Sequence, residues 1–179
     1  MDPIDLGNVG SSSDNQKGSF DVDTTQFAKL AALIAVMGTA VVYGTDVFCA
    51  MVLRPALARV DDRALCAVTG FVHHYGDRRM PVPGAIGVVA AAASTALAAL
   101  ATHWAQAIPA GVAVVLWLVW LLLYTRVSAP INRQLTAAAD SGQVLPHVRV
   151  LQAHWDRIIN ARAMLQALAL AALCVALVN

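Results

Sequence analysis

Between Leu30 and Leu53 the chain carries a single formal charge, Asp46. A helix of that length rises about 36 Å, enough to cross a hydrocarbon core of about 30 Å. Three further apolar runs follow, Pro83 to Ala101, Pro109 to Tyr124 and Ile158 to Val178, the last interrupted only by Arg162. Run length decides between a greasy globular domain and an integral membrane protein, and it predicts four transmembrane helices, at about 30–53, 83–101, 109–126 and 152–178. The composition agrees, with 59% hydrophobic and 13% charged residues among 179 and a mean hydropathy of +0.64. The expected fold is all-α: an up-down four-helix bundle in the membrane, occupying 29–179.

Residues 1–28 are polar and acidic, without a basic stretch followed by an apolar one. They are expected to form a disordered tail and not a cleavable signal peptide. Cys49, Cys66 and Cys174 have no metal-like spacing. The net charge of +1 gives no reason to expect a nucleic-acid partner. The expected surroundings are the bilayer of an inner (plasma) membrane, with a homo-oligomer or a larger membrane complex left open.

The distribution of charge says more than its sum. Arg54, Arg59, Arg63, Arg78 and Arg79 lie between the first two runs, and Arg126, Arg133 and Arg149 between the last two, whereas the "THWAQAI" link has none. The positive-inside rule places the first and third connections in the cytoplasm and both termini outside. The first connection also carries "DDRALCAVTGFVHHYGDRR", with Asp61 and Asp62 as candidate N-caps and Leu65, Val68 and Val72 at helical spacing. It predicts an extra helix on the cytoplasmic side, ending before Met80-Pro81.

That helix concentrates His73, His74, Asp77, Arg78 and Arg79. His73 and Asp77 are four apart and share a face, so the carboxylate could fix the imidazole tautomer, as a general base or a metal ligand requires. Asp46 and Arg162 fall at similar depth, about 12 Å from the cytoplasmic ends of their helices, and are expected to pair. On the last helix, His154, Trp155, Ile158 and Arg162 share one broad arc, and Asp156, Arg157 and Asn160 another. The first arc is expected to face the interior, because Arg162 is the residue least able to reach water. Small residues along "GAIGVVAAAASTALAALA" predict a central second span. The bulkier third span is expected to meet lipid, with Trp117 and Trp120 packing or anchoring.

"SAPINRQL" followed by "WDRIINAR" resembles the paired signature of the DUF1772, or anthrone oxygenase-like, family of four-helix membrane proteins, and "YGDRRMP" is similar to its actinobacterial members. The resemblance covers roughly 30–178 and rests on Pro130, Asn132, Trp155, Asn160 and Arg162. It implies a membrane-embedded oxidoreductase that oxidises a flat, apolar anthrone or quinol-like molecule with oxygen and without flavin or haem. Such a site needs a base, an oxyanion partner and an apolar pocket. His154 or His73 would be the base, with Asp77 or Asp46 orienting it. Arg162 and Asn132 would hold the anion, and Trp155, with Asn160 and Asp46, the substrate. Three other readings stay open: a copper or iron site built on His73, His74 and His154 with Asp46 or Asp77, a haem site, which the lack of histidines inside the spans disfavours, and a non-enzymatic accessory or small-molecule-binding membrane protein.

Overall fold

The structure, a computed structural model, describes the backbone of residues 9–179 and the side chains from Asp23 onward. The described residues are helical throughout, apart from short links. In order they are α1 (Val9–Phe48), a π-helical turn (Cys49–Leu53), α2 (Arg54–Leu57), α3 (Asp62–Arg79), α4 (Pro81–Leu100), α5 (Trp104–Leu123), a second π-helical turn (Tyr124–Ser128), α6 (Ala129–Asp140) and α7 (Val148–Val178). Four helical stretches are long and apolar enough to span a membrane: Asp23–Leu57, Pro81–Leu100, Trp104–Asp140 and Val148–Val178.

Each apolar run therefore became a helix, but two are longer than expected. The first begins at Val9, so the segment expected to be a disordered tail is helical over 9–28, while residues 1–8 lie outside the described residues. The third does not stop near 126 but runs on through the second π-helical turn into α6.

The extra helix α3 forms where the sequence places it. Asp61 is its N-cap, accepting a hydrogen bond from the Ala64 amide at 2.7 Å, and Arg78 and Arg79 sit in its last turn. Met80 alone separates it from α4, whose first turn tolerates Pro81 because that position has no helical N–H partner.

The four long helices pack in a ring, α1 on α4 and α7, and α5 on α4 and α7. Small residues allow a backbone-to-backbone crossing of α1 and α4. A Cβ on Gly38 would lie 2.7 Å from the Gly87 amide nitrogen and 2.7 Å from the Pro83 carbonyl oxygen. The expectation of a central α4 is corrected. Its small-residue side faces α1, but Val82, Ile86 and Val89 on the other side are exposed, so it is one member of the ring.

Besides a small cluster of Ala28, Ala98 and Ala107, two larger apolar cores result. One, around Ala35, Val42, Ala91, Trp117 and Leu173, lies among the four long helices. The other, around Leu57, Leu65, Leu135, Leu151 and Ile159, ties α2, α3, α6 and the start of α7 into a cap. Arg149 fastens this cap: its guanidinium donates to the Asp62 carboxylate at 2.7 Å and to the carbonyls of Leu57 and Val60.

Candidate functional site

Between the two cores lies a layer of buried polar side chains. Asp46 on α1 and Arg162 on α7 form the expected ion pair, at 2.7 Å, with both side chains almost fully buried. The second carboxylate oxygen of Asp46 accepts from Trp120 Nε1 at 2.8 Å, and the guanidinium also donates to Ser128 Oγ at 2.8 Å. The guanidinium carbon lies 4.8 Å from the Trp120 ring centroid and 5.6 Å from that of Tyr124. Those two rings stack, 5.5 Å apart and inclined by 1°.

Tyr124 links this layer to α3. Its hydroxyl donates to Asp77 Oδ1 at 2.9 Å, and the Asn132 side-chain amide donates to the same oxygen at 3.0 Å and to Oδ2 at 3.3 Å. Among the described residues Asp77 has no ion pair. His73, one turn earlier, does not receive the carboxylate as expected. Its ring instead lies 5.5 Å from that of Trp155, and burial drives its pKa down to about 4, against the smaller opposing pull of Asp77.

The π-helical turns position these groups. Each ends one residue before an Xaa-Pro step, Arg54-Pro55 or Ala129-Pro130. The wider turn moves the carbonyls away from the proline ring, with i→i+5 bonds from Arg54 N–H to Cys49 O and from Ala129 N–H to Tyr124 O. Tyr124 and Ser128, at the two ends of one such turn, thereby reach Asp77 and Arg162.

Apart from Ser128, these groups border one cavity of about 430 Å³, whose wall includes Asp46, His73, Asp77, Asn132, Trp155 and Arg162. The rest of the wall is chiefly apolar, from α1, α4 and α5. Three wall residues keep a buried polar atom without a hydrogen-bond partner: Asn132 Oδ1, Trp155 Nε1 and Arg162 Nε. A second cavity of about 310 Å³ shares His73 and Asp77 with the first and is otherwise lined by His74, Arg78, Arg133, Thr136, Ala137 and Asp140.

Six expected residues thus converge, and three do not. His154 is exposed, because the buried stripe of α7 runs through Trp155, Ile159, Arg162 and Gln166, and His154 lies about 80° around the helix from Arg162. It is corrected as candidate base. Asn160 is exposed for the same reason. His74 faces the second cavity, 3.5 Å from Asp140. His73, His74 and His154 do not converge, and among the described residues no group of three or more His, Cys, Asp or Glu side chains could hold a metal ion.

Trp117, Trp120, Tyr124 and Ser128 went unrecognised as site residues. Trp120 and Trp117 pack, one of the two roles expected of them: both are buried, and Trp117 donates to Thr39 Oγ1 at 3.1 Å. The spacing of four from Trp120 to Tyr124 to Ser128 was the available signal.

No family model matches the chain, and neither a curated protein nor a solved structure matches it.

Proposed function

We propose that this is a multi-pass membrane protein, an up-down four-helix bundle whose cavity binds a flat, apolar, weakly acidic molecule of the anthrone or quinol kind and assists its oxidation by molecular oxygen. The observation that carries the reading is Asp77. Its carboxylate stands on the wall of a mainly apolar cavity, held by a phenol and an amide and by no cation among the described residues. A carboxylate without a counter-ion on that wall can face a bound C–H or O–H acid, whereas Asp46 is committed to Arg162.

In this reading Asp77 takes a proton from a methylene flanked by aryl rings, and the electron pair of the broken C–H bond delocalises onto the ring carbonyl oxygen. Trp155 and Arg162 line the same cavity and each keeps an N–H without a partner, which a small side-chain rotation would turn toward that developing oxyanion. Oxygen adds at the carbanion carbon, and the peroxide anion recovers the proton from Asp77. Removal of the second C–H proton with loss of the terminal hydroxyl as water then leaves the ketone. Methylene plus dioxygen gives ketone plus water, with no further reductant. His73, uncharged near neutral pH, serves as a polar wall and adds no competing charge. The second cavity gives Asp77 a polar route for exchanging protons with water.

The resemblance to the anthrone oxygenase-like family agrees with this chemistry. The arginine-rich α3 and α6 end would face the cytoplasm, with both termini on the other side. The test uses the full chain in lipid nanodiscs with anthrone as probe. Wild type should consume one oxygen per anthrone and form the anthraquinone. Asp77→Asn should lose activity by roughly 10²–10⁴-fold while still binding anthrone. Oxygen uptake by wild type no faster than by Asp77→Asn would overturn the oxidase reading and leave a binding or accessory protein.

A further inference from the structure

The cavity wall joins a few polar groups to a larger apolar surface. It includes Asp46, Arg162 and Asp77, and also Ala85 and Val89 of α4 and Leu118 and Leu121 of α5. Those last four residues line the cavity and are also open to the outside of the molecule, Val89 at 67%, Leu118 at 54% and Leu121 at 45% exposure. Residues that do both mark an opening: Val72 and Pro81 do so at the α3–α4 corner, and Ala85, Val89, Leu118 and Leu121 form a mouth between α4 and α5. This mouth is on the flank of two helices long and apolar enough to span a membrane, with Val89 about 12 Å along α4 from Pro81, within the depth of hydrocarbon.

A water-borne ligand has no reason to meet an apolar mouth at that depth. A ligand whose head meets Asp77 on this wall has an apolar way out for its tail between α4 and α5. We propose that the cavity takes its ligand laterally from the bilayer core, and that this ligand is an alkyl-tailed amphiphile with an aromatic head, its tail lying in the mouth between α4 and α5. The identity of the head rests on the function proposed above. The lateral mouth rests on geometry alone.

The chain contains its own reporters. Of its four tryptophans, Trp117, Trp120 and Trp155 line the cavity, and Trp104 is exposed at the opposite end of α5. In a Trp104→Phe variant of the full chain, tryptophan emission comes from the cavity wall only. In nanodiscs of phosphatidylcholine brominated at mid-chain, this variant should lose most of its emission, while iodide in the water should quench little. Adding Ala85→Phe, which narrows the mouth, should restore much of the lost emission. Three results overturn the proposal: strong quenching by iodide with none by the brominated tails, which means an aqueous mouth; bromine quenching that Ala85→Phe leaves unchanged, which means contact through the outer surface only; and unquenched emission with cross-linking of Val89→Cys between chains, which means a second copy covers the face. A lateral mouth found without anthrone oxidation would sink the oxidase reading alone, and anthrone oxidation without bromine quenching would sink the lateral mouth alone.

Discussion

Arg162 is held on three sides, by the Asp46 carboxylate, the Ser128 hydroxyl and the Trp120 ring face, so its charge is neutralised where water does not reach. Removing one member of a buried pair leaves the other uncompensated, at about 3–5 kcal/mol, whereas removing both restores part of the loss. Asp46→Asn and Arg162→Gln should each lower stability by this order, and the double variant by clearly less than the sum, as read from unfolding in detergent. Strict additivity would refute the coupling. His73 supplies the pH dependence. Its folded pKa of about 4 lies below the ordinary 6.5, so the unfolded chain binds the proton more readily. The stabilisation from keeping His73 neutral is complete above pH 6.5 and is lost as pH falls toward 4, by about 3 kcal/mol in all. The charged groups bearing on it are Asp77 and Arg162, with His74 and Asp140 across the second cavity. Thermal midpoints between pH 7 and 4.5 should fall less steeply in His73→Gln than in wild type.

At the scale of elements, the packing of α6 on α3 decides whether the site exists, because Asn132 reaches Asp77 only from that position. The contact depends on Gly70. A Cβ there would fall on the Leu135 carbonyl oxygen and the Ala139 Cβ, and Thr136 Oγ1 already donates to the Gly70 carbonyl at 3.3 Å. Gly70→Val should therefore cost about 1–3 kcal/mol and separate Asn132 from Asp77, whereas Gly44→Ala, with open space around it, should not. Unfolding midpoints of the two variants check this. This packing also explains what was legible in the sequence. Asp46, Arg162, Asn132 and the His73–Asp77 turn stand out because charges and amides are costly in apolar helices. The Trp120, Tyr124 and Ser128 series reads as ordinary packing until π-helical turns set its register. His154 was misplaced because an arc drawn from four residues is broader than the buried stripe of α7, which Ile159 and Gln166 define. The continuation of the third run into α6 was hidden because Ala129–Asp140 alternates polar and apolar positions and has no apolar run of its own.

The whole molecule is polarised. One end gathers the cap of α2, α3 and α6, with nearly all the arginines, and the long helices leading away from it carry exposed apolar side chains such as Ile34, Met37, Val112, Val115 and Leu168. A belt of that kind suits lipid and would be a liability in water. If the arginine-rich end is cytoplasmic, a cysteine introduced at Arg63 should resist an impermeant maleimide in intact cells, while one at Asp23 should react. The reverse pattern would invert the topology.

The ion pair at the centre of the site joins the first long helix to the last, across 116 residues of sequence. At synthesis rates of roughly 5–20 residues per second, the Asp46 carboxylate waits on the order of ten seconds for the guanidinium that neutralises it. During that interval α1 and α4 can cross at Gly38 and Trp120 of α5 can donate to Asp46, but the charge has no counter-ion. A product truncated before α7 would lack the guanidinium and leave Asp46 with the Trp120 indole and no counter-ion, so the pair can close only after the last helix has been made.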